Sequence, residues 1–375
     1  MAKVLMKGNE ALGEAAIRAG CRYFFGYPIT PQNEIPEYLS KKLPEAGGVF
    51  LQAESEVAAI NMVYGAAGAG ARVLTSSSGP GISLKTEGIS YIAGAELPCV
   101  IVNITRGGPG LGGIQPSQAD YYQATKGGGH GDYRLIVLAP ASVQEMVDLT
   151  ISAFDLADSY RNPVMILADG VLGQMMEPVE FREVNNSNKV EKPWAVGSKR
   201  AGRAPNIINS LYLAPEVLEE HNYHLFNKWE QIKQKETLVE EYQTADAEII
   251  LVAYGTTARI SKAAIDSARE QGIKAGLIRP ITLWPFPEAA LTKALLQKTV
   301  KNALVVEMSL GQMVDDVRLS AGHQVPVHFY GRPGGMIPTS KAVFEEICRL
   351  TGRDEFVPHE LAVGVRYSLP GGVTK

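Results

Sequence analysis

Cysteine is scarce. Cys21, Cys99 and Cys348 are the only three in 375 residues, widely separated and without a Cys-x-x-Cys spacing. This excludes a disulfide framework and any four-thiolate iron–sulfur cluster built by this chain alone. If electrons leave its site through clusters, another chain must hold them. Long apolar runs are also missing. The opening MAKVLMKGNEALGEAAIRAG has no signal-peptide core, and no later stretch approaches the roughly 20 apolar residues that span a bilayer. The expectation is a cytoplasmic protein without a membrane partner. A formal net charge of −4, with basic residues scattered along the chain, leaves no electrostatic footprint for nucleic acid. No internal repeat points to a solenoid.

What is present is an ordinary globular composition, 45% hydrophobic and 20% charged, enough to bury a large core in two or three domains. Ala11, Leu12, Ala15 and Ala16 have helical spacing, stop at Gly20 and lead into the apolar Tyr23-Phe24-Phe25. Short β-rich runs follow at Val49–Gln52, Val73–Ser76, Cys99–Ile104, Leu135–Ala139 and Val164–Ala168, with small-residue helical stretches such as Val57–Ala69 between them. Such alternation predicts a mostly parallel sheet covered by helices. From about Glu180 the composition turns polar, ending in a helix-like Tyr223–Tyr242. A second alternating block runs through Ile249–Ala253, Gly276–Ile278, Leu304–Glu307 and Val325–Tyr330. The composition therefore divides the chain at 1–180, 181–247 and 248–375.

Three segments carry chemistry. Gly26-Tyr27-Pro28-Ile29-Thr30-Pro31 follows a strand, and its prolines stiffen a turn that holds the Thr30 hydroxyl at the sheet's carboxyl edge, where open α/β sheets bind ligands. Thr30 as a plain helix N-cap is the competing reading. Ala53-Glu54-Ser55-Glu56 sets carboxylates before a nearly uncharged helix, where they could equally be dipole partners. Ile101–Thr105 ends in Arg106 beside Gly107-Gly108-Pro109-Gly110, suited to a substrate carboxylate or to a surface ion pair.

In this order the segments resemble the 2-oxoacid:ferredoxin oxidoreductase family, in its pyrimidine-binding, alpha-type subunits. Gly79-Pro80-Gly81, Gly88–Glu96, Gly129-His130-Gly131-Asp132 and Leu138-Ala139-Pro140 add to the likeness. The resemblance implies an α/β fold, a thiamine-diphosphate-binding pyrimidine domain with a parallel sheet. A transketolase carboxyl-terminal-like α/β domain would follow, carrying Ala253–Thr256, Arg279-Pro280, Trp284–Pro287, Val306-Glu307 and Gly331–Gly335. It assigns Pro28, Ile29, Thr30 and Glu56 to the cofactor, and Glu56, Arg106 and Thr30 to catalysis. Thiamine becomes active when N1′ of its pyrimidine meets a carboxyl group. By the family's pattern that acid is Glu56 rather than Glu54, while Thr30 and Arg106 contact the oxoacid.

The resemblance also implies what lies elsewhere. Thiamine enzymes hold the diphosphate through Mg2+, with Gly-Asp-Gly and an Asn about 25 to 30 residues later. Ala168-Asp169-Gly170 copies only the opening, and Asn185 and Asn186 come too soon, so Asp169 reads as a strand-end turn residue. Thiamine diphosphate is then shared with a diphosphate-binding beta-type subunit, and Mg2+ and iron–sulfur clusters sit on partner chains. Gamma-type and ferredoxin-like subunits, ferredoxin and coenzyme A complete the partners. The glycine loops Gly107–Gly113 and Gly127–Gly131 lack the strand–GxGxxG–helix arrangement of dinucleotide sites. His221 and His224, beside Glu219 and Glu220, read as a solvated face rather than a metal pair. His130 is left between a local structural role and proximity to the active site.

For substrate, 107–118 contains no lysine or arginine and offers Leu111 and Ile114. A second substrate carboxylate buried there would be unpaired, so a branched-chain oxoacid such as 3-methyl-2-oxobutanoate is expected. The alternatives are a 2-oxoglutarate:ferredoxin oxidoreductase alpha subunit, another thiamine-dependent lyase or transferase, and a noncatalytic α/β assembly subunit.

Overall fold

The computed structural model describes residues 3–183, 190–196, 204–357 and 362–369. Asn185 and Asn186 lie outside them. The chain forms two units, one of residues 1–104 and 123–235, the other of 105–122 and 236–375. This division differs from the compositional one. The stretch 105–122 belongs with the second unit, and the polar 181–247 is divided between the two.

The first unit opens with β1 (Val4–Lys7), α1 (Gly8–Arg18), β2 (Tyr23–Gly26), α2 (Glu34–Glu45), β3 (Val49–Gln52) and α3 (Glu56–Gly68). It continues with β4 (Val73–Ser77), α4 (Pro80–Gly94) and β5 (Val100–Thr105), whose last residue falls to the second unit. After the short α5 (Tyr121–Thr125), whose first two residues fall to the second unit, come β6 (Ile136–Leu138), α6 (Val143–Tyr160), β7 (Val164–Asp169), α7 (Gly170–Gln174), β8 (Met176–Val179) and α8 (Pro215–Lys235). Its main strands lie in the order β6-β7-β5-β4-β2-β3. The pairs β2–β3, β2–β4, β4–β5 and β6–β7 are parallel. Every residue of β4, β5 and β7 is buried, which explains the nearly unbroken apolar runs of β5 and β7, where helices cover both faces, while β4 also buries Thr75, Ser76 and Ser77. A separate antiparallel ribbon joins β1 to β8 and closes over Ala11, Ala15, Val143 and Val147.

The second unit contains β9 (Val239–Tyr242), β10 (Ile249–Val252), α9 (Gly255–Glu270), β11 (Ala275–Pro280), β12 (Thr282–Trp284) and α10 (Glu288–Leu295). Then follow β13 (Asn302–Glu307), α11 (Met313–Ala321), β14 (Val327–Gly331), α12 (Ser340–Thr351) and β15 (Val365–Leu369). One sheet runs β15-β14-β13-β10-β11-β9. Its four inner strands are parallel, and both edge strands are antiparallel to their neighbours.

The expected helix over Tyr223–Tyr242 is corrected at its end. The helix stops at Lys235, and Val239–Tyr242 forms an edge strand against β11. The reason is an ion-pair anchor: Glu240 pairs with Arg279 Nε at 2.5 Å and with Lys262, so a strand rich in acid is held at the sheet edge. Composition alone reads such a strand as a solvated helix.

Candidate functional site

β4, β2 and β3 are parallel neighbours and end on one edge of the first sheet. The segments leaving them carry Ser77 to Gly81, Thr30 and Glu56 respectively. Ser55 caps α3, its hydroxyl accepting from Ala58 N at 3.1 Å, which makes Glu56 the first helical residue. Glu54 is exposed, whereas Glu56 is only 7% exposed. The two acids of the motif therefore occupy different dielectric surroundings, and only Glu56 faces inward.

Opposite Glu56 is the start of α4. Gly79 takes φ 47° and ψ −115°, a left-handed backbone that a side chain would strain, and Pro80 follows at the first helical position. This turn brings Gly81 against the acid. A Cβ on Gly81 would stand 2.2 Å from Ser77 Oγ and 2.7 Å from Glu56 Oε1. The Ser77 and Ser78 hydroxyls are fully buried and make no hydrogen bond among the described residues. Buried hydroxyls without partners are uncommon and mark a place where a ligand can supply them.

Thr30 lies four residues beyond β2. Asn33, not Thr30, stands at the N-cap position of α2, and its Nδ2 donates to Thr30 Oγ1 at 3.3 Å. The turn is fastened by Gln32, which accepts from Ser76 Oγ at 2.5 Å and donates to Tyr27 O at 3.3 Å. Pro28 and Ile29 lie in the same turn.

Lys85 escaped the sequence reading. It is fully buried on α4, its Nζ donating to Thr75 Oγ1 at 2.7 Å and Ser76 O at 3.0 Å. Burial pulls its pKa down to about 7, while the charge of Glu56 acts in the opposite direction. The available signal was spacing: Gly81, Lys85, Gly88 and Ile92 share one helix face, so a lone lysine sits in the inward stripe.

Arg106 belongs to the second unit. It is 7% exposed, which argues against a surface ion pair, and its Nη2 donates to Leu111 O at 3.0 Å. Its loop closes on itself through Gly107 N to Gln115 O and Gly113 N to Gly107 O, both 2.8 Å. The Gly331–Gly335 motif braces it. Gly334 and Gly335 have positive φ, Gly334 approaches Gly107, and a Cβ on Gly335 would stand 2.4 Å from that of Gln115. The far end is pinned by buried Gln118, which donates to Tyr254 O and accepts from Met308 N, both at 2.9 Å. Leu111 and Ile114, expected in an apolar pocket, are 81% and 56% exposed in this chain.

The remaining candidates have local roles. Asp169 caps α7, accepting from Val171 N at 2.9 Å and Leu172 N at 3.3 Å, as its strand-end reading requires. His221 bonds Gly94 O and His224 bonds Glu96. His130 is exposed, and its carbonyl accepts from Ser90 Oγ at 2.5 Å. Glu307 is fully buried at the end of β13 and accepts from the backbone N–H groups of Gln312, Met313 and Val314 at the start of α11. Burial raises its pKa, against the hydrogen bonds. No group of three or more metal-ligating side chains occurs among the described residues, and none of their helices is long and apolar enough to cross a membrane.

Comparison with known proteins bears on both units. Residues 14–243 match the family described as "Pyruvate flavodoxin/ferredoxin oxidoreductase, thiamine diP-bdg", and 247–343 match "Pyruvate:ferredoxin oxidoreductase core domain II". The chain is 52% identical over 353 residues to the ketoisovalerate oxidoreductase subunit VorB of Methanothermobacter marburgensis, covering 94% of this chain and 99% of that protein. It is 40% identical to the 2-oxoglutarate synthase subunit KorA of Methanocaldococcus jannaschii, over 83% of this chain and 90% of that one. A solved structure of the 2-oxoglutarate:ferredoxin oxidoreductase from Magnetococcus marinus superimposes with a TM-score of 0.82 at 27% identity. That match covers 93% of this chain but only 65% of the longer one. The chain belongs to the 2-oxoacid:ferredoxin oxidoreductase family, with the thiamine-diphosphate-binding region first and core domain II after it.

Proposed function

We propose that this chain is the pyrimidine-binding subunit of a heteromeric enzyme that decarboxylates a branched-chain 2-oxoacid, passing the acyl group to coenzyme A and electrons to ferredoxin. The carrying observation is the buried Glu56 carboxyl beside Gly81, with the Ser77 and Ser78 hydroxyls left without partners. These residues fit a cofactor that brings a polar heteroaromatic ring. When bound, thiamine diphosphate supplies the nucleophile and electron sink for decarboxylation. Glu56 would meet the ring nitrogen through its carboxyl, where water-poor surroundings strengthen the interaction. Pro28, Ile29 and Thr30 lie in the turn that leaves β2 on the same sheet edge. Arg106 offers a guanidinium fork for the oxoacid carboxylate.

The rest of the site belongs to partners in this reading. A beta-type subunit holds the diphosphate and Mg2+. The three cysteines are buried and far apart in sequence, which suits clusters carried on other chains, gamma-type and ferredoxin-like subunits among the partners. The substrate reading is supported by the higher identity to the ketoisovalerate subunit, 52% against 40%, and by a loop of residues 107–118 without a cation. Exposed Leu111 and Ile114 would line an apolar pocket only once another surface closes over them.

Two experiments test the proposal. In the complex reconstituted with its partner subunits, kcat/KM should be highest for 3-methyl-2-oxobutanoate, with activity on other aliphatic oxoacids. One methyl group discriminates by only about 1 to 3 kcal/mol. A clear preference for 2-oxoglutarate over pyruvate and 3-methyl-2-oxobutanoate overturns the substrate assignment. Glu56→Gln should lower kcat by about two orders of magnitude or more, while Glu54→Gln stays near wild type. The reverse pattern overturns the site assignment.

A further inference from the structure

Open parallel sheets bind ligands at the carboxyl ends of two neighbouring strands whose connections leave in opposite directions. In the second unit that point lies between β10 and β13. The two are parallel neighbours; β10 leads through α9 to β11 on one side, and β13 leads through α11 to β14 on the other. The chain fills this crevice with its own Gln118.

The buried Gln118 amide bridges the two strand ends. Its Nε2 donates to Tyr254 O, just beyond β10, at 2.9 Å. Its Oε1 accepts from Met308 N, just beyond β13, at 2.9 Å and from Thr257 Oγ1 on α9 at 3.2 Å. Both lone pairs of the amide oxygen are used, which fixes the amide's orientation. The backbone of the same residue is tied as well, its N–H donating to Met308 O at 2.9 Å and its carbonyl accepting from Tyr254 OH at 3.3 Å. Tyr254, Thr257 and Met308 are all buried, and a satisfied polar network in such a place rigidifies what it holds.

Short links pass this register to Arg106. Thr105 Oγ1 donates to Ser117 O, Arg106 pairs with Pro116 in an antiparallel bridge, and Gly107 N donates to Gln115 O at 2.8 Å. Ser117 itself donates from Oγ to Met308 O at 3.2 Å. On the other side of Gln118, Gln312 donates to Ala119 O at 2.7 Å and accepts from Tyr122 N at 2.8 Å. Residues 115–118 are thus fastened to the sheet, and 105–107 are registered against them.

We propose that Gln118 is a positioning residue for Arg106, its amide occupying the crevice of the second sheet so that the guanidinium is presented in one place. The inference rests on the reading of Arg106 as the group that binds the oxoacid carboxylate. A guanidinium on a drifting backbone keeps its charge but loses the two-bond alignment that a carboxylate requires.

A double-mutant cycle in the reconstituted complex tests this. Gln118→Met nearly keeps the volume and removes the amide. KM for the preferred oxoacid should rise about tenfold with kcat within about threefold, because binding made before the chemical step is weakened. Arg106→Lys should raise the same KM. In that background Gln118→Met should add no more than about twofold, since a lysine has no fork left to align. A further rise of about tenfold there, or a lower melting temperature with KM unchanged, shows that Gln118 serves only the fold and overturns the inference. If Gln118→Met does not fold, Gln118→Asn, one methylene shorter and unable to reach both strand ends, decides by the same cycle. An oxoacid KM indifferent to Arg106→Lys would instead overturn the reading of Arg106 itself, an outcome visible without any change at Gln118.

Discussion

Substituting Gly81 by alanine adds one methyl group where the site is tightest. The new Cβ would stand 2.2 Å from Ser77 Oγ and 2.7 Å from Glu56 Oε1, both well inside van der Waals contact. Something must move. The colliding atoms are side-chain tips rather than backbone, so the relaxation falls on the serine hydroxyl and the carboxyl instead of the sheet. Overpacking costs about 1 to 3 kcal/mol, and replacing glycine by alanine in a helix returns roughly 0.5 to 1 kcal/mol. The net loss of stability is therefore about 0 to 2.5 kcal/mol, a melting shift of at most a few degrees in a chain of this size. The effect on turnover should be larger. A catalytic group displaced by about 1 Å can lose on the order of 100-fold in rate. Thermal unfolding of Gly81→Ala together with kcat of the reconstituted complex measures both. A variant that melts near wild type and turns over within about twofold of it refutes the placement of Glu56 against Gly81 as the working geometry.

Gly88→Ala makes a contrasting perturbation on the same helix. Its Cβ would meet Ile60 Cγ2 at 2.5 Å and Cγ1 at 2.8 Å, and the branched side chain cannot swing clear because its own Cβ is 3.2 Å away. Denaturant unfolding should show a loss of about 1 kcal/mol or more, with kcat per folded molecule nearly unchanged; a large fall in kcat at unchanged stability contradicts this. Burial pushes the thiols of Cys21 and Cys99 up to about 12, so neither forms the reactive thiolate until pH passes far above neutrality. Mass spectrometry after iodoacetamide treatment at pH 8 should find both unmodified in the native chain and alkylated in denaturant. Rapid native labelling of either would contradict their placement in the core.

The sequence by itself was sufficient for the α/β character of the chain, because a strand buried on both faces must be almost wholly apolar and reads as such without knowledge of its neighbours. β5 and β7 were legible for that reason, whereas β4 buries Thr75, Ser76 and Ser77 and is not an apolar run. The family likeness was equally local, resting on the Thr30 turn, Ser55-Glu56 and Arg106. The family's pattern already preferred Glu56 to Glu54, and the tertiary structure added the physical difference, since acids two positions apart differ in exposure according to what α4 places opposite them. It also located Lys85, whose significance depends on burial by β4 and α3, and assigned Gly331–Gly335 the task of bracing a loop more than 200 residues earlier in the chain. β9 was misread because its identity depends on an edge partner and on Arg279. Periodicity reports which face of an element is apolar. Which charges that face meets is settled by residues distant in sequence, and the pKa of a buried group depends on those neighbours.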